Sequence, residues 1–256
     1  MTKQLNLIRE LPLQHNKMEA FNPRGLARRI LRTTRQIALA TLDRHNGFPY
    51  STITNLSVEP DGTPVFYGAG LSHHTKNIFA DPRISITLSQ AEGRDVLRDR
   101  RMTLIGNAHK LEGATLERAR SRYRRKFFRS WKYLGLEDSC MFRLEVEGIH
   151  LNGGPARYSD TLTATDLSVE LRGAECLMRE EDRLIEHLES LPSKRKTISA
   201  LLNGVRGDWH ISTIDPEGVD VASETTFYRL AFRGRVESPE DLLAAINRRR
   251  TWHLSE

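Results

Sequence analysis

The chain has 256 residues, of which 38% are hydrophobic and 28% charged, and a formal net charge of +6. It has no apolar run near the ~18 residues of a membrane helix, and Cys140 and Cys176 lack CxxC spacing, which sets aside a helical span, a disulfide framework and a cysteine-based zinc site. The positive balance favours small anions; nucleic-acid binding would require a recognition helix or paired aromatics on a sheet, and neither is visible.

From the N-terminus, MTKQLNLIREL lacks the apolar block and cleavage site of a secretory signal, so the expected compartment is the cytoplasm. Asn22 and Pro23 then supply a cap and a first-turn proline for a helix over 22–35, with Leu26, Ile30 and Leu31 at helical spacing. IALATL (37–42) and FPYSTITNLSVE (48–59) read as strands joined by Arg44-His45-Asn46-Gly47. Pro60-Asp61-Gly62 turns the chain into a third strand at 64–70. Ser72 opens a short helix, SHHTKNIFA, which stops before Asp81-Pro82, and RISITLS (83–89) returns to strand. Beyond a loop with Gly93, Arg94 and Asp95, RRMTLIGNAHKL (100–111) is a fifth strand and GATLERARSRYRRKFF (113–128) a helix. Its run Arg120, Arg122, Arg124, Arg125, Lys126, with Arg129 just beyond, reads as a solvated face. MFRLEVEGIHLN (141–152) gives the sixth strand. Six strands without a βαβ repeat predict a closed antiparallel barrel.

After Gly153-Gly154-Pro155 the pattern changes. Residues 156–173 read as a polar linker or crossing segment, and Leu177, Leu184, Ile185 and Leu188 mark one helical face over 176–190. Ile198, Leu201 and Leu202 suggest another short helix, strands flank Asp215-Pro216-Glu217-Gly218, and Ser238-Pro239-Glu240 starts a last helix. The expected class is α+β, with a six-stranded split-barrel domain over 1–155 and a smaller C-terminal α+β domain over 156–256.

Residues 50–88, YSTITNLSVEPDGTPVFYGAGLSHHTKNIFADPRISITL, carry the informative pattern. Their order of strand, turn, strand ending in FY, polar helix start and DPR-plus-strand resembles the FMN-binding split-barrel superfamily related to pyridoxamine 5'-phosphate oxidase. The LSxHTxN…DPRxS form, RRMTLIGNAHKLE (100–112) and MFRLEVEGIHLNGGPAR (141–157) are similar to the HugZ-type haem-utilisation branch. That resemblance implies a homodimer and a haem-binding or haem-degrading protein for iron acquisition; the alternatives are an FMN-dependent oxidoreductase and a non-catalytic ligand-binding protein. Independently of kinship, Ser72, His74, Thr75 and Lys76 sit where helix amides and dipole attract a phosphate. Ser51, Thr52 and Thr54 are the hydroxyls expected along the flavin, although the oxidases have Ser-Arg-Lys at the helix start and an arginine at the position of Thr52. For haem iron the resemblance points to His253, beside Trp252, as the axial imidazole. No hydrolase motif is present.

Overall fold

The computed structural model describes residues 21–90, 97–154, 157–191, 202, 207–224, 226–247 and 252–254. Helix α1 (Pro23–Thr33) starts where Asn22 Oδ1 accepts the Gly25 amide at 2.9 Å, and buries Leu26, Ile30 and Leu31. Six strands follow: β1 (Gln36–Leu42), β2 (Pro49–Val58), β3 (Pro64–Ala69), β4 (Arg83–Gln90), β5 (Arg100–Lys110) and β6 (Ser139–Asn152). They run in the order β3-β2-β1-β4-β5-β6, all antiparallel, and pairing of β3 with β6 closes the barrel. Alternation places Leu39, Leu56, Phe66, Ile86, Leu104 and Phe142 inside, each essentially inaccessible; each such side chain contributes ~1.5–3 kcal/mol. All six expected strands are present, within one or two residues of their expected ends.

Closure is incomplete at one place, and that place positions the site. Residues 49–55 of β2 pair with β1 alone, because β3 meets β2 only over Leu56–Val58 and then follows β6. Helix α2 (His73–Ala80) fills the resulting split with its buried Thr75, Asn77 and Ile78. Gly68 on β3 permits the approach, since a Cβ there would stand 2.5 Å from Thr75 Oγ1. Gly106 similarly permits the bulge of β5 against β6, where a Cβ would overlap the Glu145 carbonyl oxygen.

Between β5 and β6 lie α3 (Gly113–Lys126), a 3₁₀ turn (Phe128–Ser130) and the short α4 (Trp131–Leu134). Residues 157–173 are more structured than a linker: β7 (Tyr158–Ser159) pairs with β6, and α5 (Ala164–Leu167) packs on α1 and buries Leu167 in the barrel core. The helical face expected over 176–190 is split into α6 (Glu175–Arg179) and α7 (Glu181–Ser190), but Leu177, Leu184, Ile185 and Leu188 share one core as anticipated. The expected helix around Ile198 and Leu201 lies outside the described residues. A second antiparallel sheet, β11-β10-β9-β8, comprises β8 (His210–Asp215), β9 (Gly218–Ala222), β10 (Phe227–Phe232) and β11 (Trp252–Leu254). Helix α8 (Pro239–Asn247) starts where Ser238 Oγ accepts the Asp241 amide.

The basic run is solvated only at Arg124 and Arg129, which are exposed. Arg122 and Lys126 are buried and Arg125 is largely so, because α3 packs against β8 and meets acids of the C-terminal segment. Arg122 pairs with Glu181, and Arg125 with Asp182 at 2.6 Å. From α1, Arg32 lies 3.4 Å from Asp215, which also receives both terminal nitrogens of Arg229 at 2.7 Å; Arg229 reaches Asp220 at 3.0 Å as well. Burial alone would raise the Asp215 carboxyl, but Arg229 and Arg32 overcome it and hold the group well below the usual carboxylate range.

Candidate functional site: the start of helix α2

The chain leaves β3 through Gly70, whose amide is tied to the Asp138 carbonyl at 2.6 Å, and enters α2 at Ser72. Ser72 occupies the capping position without capping. Its Oγ lies 2.7 Å from the Ala69 carbonyl, 2.8 Å from Thr75 Oγ1 and 3.2 Å from His74 Nε2, and accepts no backbone amide of the first turn. Those amides therefore remain available at the positive end of the helix dipole. Thr75 is fully buried, and half-buried Lys76 has no ion-pair partner among the described residues. Burial, followed by the neighbouring His73, pushes the His74 imidazole below its ordinary value, so it is neutral at physiological pH.

Two anchors hold this helix against β1. Asn77 donates through Nδ2 to Thr41 Oγ1 at 3.0 Å and accepts the Arg44 amide at 3.1 Å. His73 Nε2 lies 2.5 Å from Asp43 Oδ2, and its ring packs 4.7 Å from that of Tyr50. Hydrogen bonding to His73 is the main cause holding the Asp43 carboxyl below its usual value. Asp43, His73 and Asn77 are not evident in this role from the sequence. The Asp-x-x-Asn-Gly turn at 43–47 was the available signal, because its acid must lie at the end of β1, beside whatever fills the split.

The hydroxyls of β2 divide between two faces. Thr52 stands opposite Leu39 and Thr54 opposite Ile37, on the inner side beside the split, and Thr54 Oγ1 donates to the Tyr67 carbonyl at 3.1 Å. Ser51 stands opposite Ala40 on the outer wall and is exposed. One ligand face thus cannot use all three. His253 is remote in topology from α2: it lies in β11, the edge strand of the second sheet, opposite Ala231. The terminal segment at 252–254 is a paired strand.

The barrel region, residues 22–155, matches the family described as CREG, beta-barrel. The chain belongs to the CREG-type β-barrel family. This CREG-type barrel confirms the split-barrel kinship expected from residues 50–88. Among solved structures it is similar to Atu2129 of Agrobacterium tumefaciens, a protein of unknown function: 36% identity, 93% of this chain and 99% of that one covered, TM-score 0.80. A heme-binding protein from Mycobacterium smegmatis follows at 23% identity, with 90% and 96% covered and a TM-score of 0.55. Campylobacter jejuni ChuZ matches at 19% identity over 59% of this chain and 63% of its own, with a TM-score of 0.50. The last two likenesses establish the shared fold. None of the curated proteins matches.

Proposed function

We propose that this CREG-type protein binds haem and serves haem utilisation in the cytoplasm as a homodimer. The observation that carries the reading is the start of α2, where open helix amides and the unpaired Lys76 ammonium adjoin a neutral His74 imidazole. Amides and ammonium suit a carboxylate or phosphate, and a neutral imidazole suits iron. The M. smegmatis heme-binding protein supports the reading because it shares the fold across 90% of this chain. Bound haem would supply the iron chemistry. Ser72, Thr75 and Lys76 would hold its anionic groups, and the imidazole for iron would come from His253 on the second sheet or from His74 beside them. Haem degradation belongs to the same reading.

The second reading, an FMN-dependent oxidoreductase, is favoured by the same uncapped turn, which is suited to the flavin phosphate. Titration separates the two. Haem is expected to give a saturable Soret band, weakened in Lys76→Ala and altered in shape by His253→Ala. A band altered by His74→Ala instead would move the ligand to α2. Saturable flavin binding without a Soret change would favour the second reading, and neither response would leave a ligand-binding protein of another kind.

The dimer is proposed on the outer barrel wall. There the facing rows Ser51–Ala40–Ser85 and Ile53–Ala38–Thr87 are small or apolar, and Ile53 is 73% exposed. An exposed apolar wall of this kind suits a second copy of itself. Sedimentation should show a species of twice 29.3 kDa, and Ile53→Asp should convert it to monomer. A parent that sediments as a monomer at micromolar concentration would refute the assignment.

A further inference from the structure

Among the described residues, the buried arginines are paired with carboxylates: Arg32 and Arg229 with Asp215, Arg122 with Glu181. Arg35 and Lys126 break the pattern. Among the described residues neither has a carboxylate within ion-pair distance. Arg35 lies 5.3 Å from the Phe127 ring centroid and 6.0 Å from that of Phe227, and Lys126 Nζ 4.2 Å from the latter. Arg35 Nη1 is shielded from water and makes no hydrogen bond. Burial alone pushes the Arg35 guanidinium down, with no acid opposing it. The half-buried Arg35 guanidinium thus lacks a counter-charge among the described residues, and an anion is the group that would supply one.

An open space adjoins them. A cavity of about 490 Å³ is lined by Arg35, Asn55, Phe127, Phe128, Ser130 and Tyr133, with the Arg129–Glu224 ion pair at its edge. Ser130 lines it although the residue is 1% exposed, and its Oγ has no partner. A hydroxyl buried without a partner is rare in native structures, and a water or a ligand in the adjoining space can supply one. Because Arg129 and Glu224 neutralise each other, the charge offered to a ligand is that of Arg35. The aromatic walls of Phe127, Phe128 and Tyr133 fit a flat apolar body beside it.

We propose that this cavity binds a small aromatic carboxylate, with the carboxylate on Arg35 and Ser130 and the ring between Phe127 and Tyr133. The site is distinct from the start of α2 and stands whether or not the protein binds haem. Benzoate is the probe, titrated calorimetrically into protein free of haem and flavin, with acetate and benzyl alcohol testing ring and charge separately. Saturable one-to-one benzoate binding is expected, roughly tenfold tighter than either control, and roughly tenfold weaker in Arg35→Gln, the scale of a charge-assisted hydrogen bond. Ser130→Ala should weaken it several-fold while the parent's melting temperature is retained. If Arg35→Gln does not fold, Arg35→Lys carries the test, since it keeps the charge but loses the planar fork; weaker binding supports the site and equal binding overturns it. Absence of saturable binding to about 10 mM benzoate, equal affinity for acetate, or an Arg35→Gln affinity equal to the parent's would each overturn the proposal.

Discussion

Asp215→Asn should destabilise the protein by about 3–5 kcal/mol, because it leaves Arg32 and Arg229 buried with their main counter-charge removed. Asp215 is inaccessible and takes three contacts from the two guanidinium groups, so neither water nor a rotamer change can replace the lost charge. Urea unfolding of parent and variant measures the loss, and a difference below ~1 kcal/mol would show that the cluster is not the support described here. Replacing the ions together, as Arg32→Met/Asp215→Leu/Arg229→Met, should recover much of the stability, since an apolar group of similar volume avoids the desolvation of charge. The pH dependence has a definite sign. The folded carboxyl is held below its unfolded value, so its contribution is complete above the ordinary carboxylate range near ~4 and is lost as pH falls through and below it.

Lys126→Met should act in the opposite direction. Burial, only partly offset by Asp220 and reinforced by Arg35 and Arg32, pushes the Lys126 ammonium down to about 7. In the unfolded chain it titrates near ~10.4, so between these values the unfolded state holds a proton that the folded state has released. Unfolding free energy therefore rises with pH across that window, and the penalty is present in full below 7. The separation corresponds to a penalty on the order of 5 kcal/mol. Methionine fills a similar volume without charge but gives up the hydrogen bond to the Thr34 carbonyl. A net gain of about 2–3 kcal/mol at pH 6, shrinking toward zero by pH 10, is expected. A gain that stays constant over the range would show that Lys126 does not titrate there.

The six barrel strands were legible because β-branched and aromatic runs, most of them alternating apolar and polar residues, lie between turns with a known mechanism, such as Pro60-Asp61-Gly62. That they close into a barrel was expected too, but not which strands close it, since the pairing of Phe66 with Phe142 joins residues far apart in the chain and no local signal records it. The same distance hid the role of α3: its arginines look solvated until Glu181, 59 residues beyond Arg122, is folded against them. At the candidate site the sequence located the start of α2 and its polar residues. It could not show that Ser72 would turn its oxygen to Ala69 and Thr75, leaving the amides free, because the choice between two local hydrogen bonds depends on the space left by Gly68. The alternation of β2 already separated Ser51 from Thr52 and Thr54, and a period of two was enough to see it.

The ion clusters also bear on how the chain is made. A ribosome delivers residues in order, so β6 completes the barrel while Asp215 and Arg229 are still unsynthesised. Until then Arg32 on α1 and Arg122 on α3 have backbone carbonyls of residues 58–60 as partners but lack the carboxylates they pair with in the finished fold. Emergence of Glu181 gives Arg122 its counter-ion, and emergence of β8 gives Arg32 its own. Synthesis of the C-terminal sheet is thus the step that supplies the counter-charges, and a chain truncated after Asn152 would keep only the carbonyl partners of Arg32 and Arg122, at Glu59, Pro60 and Val58.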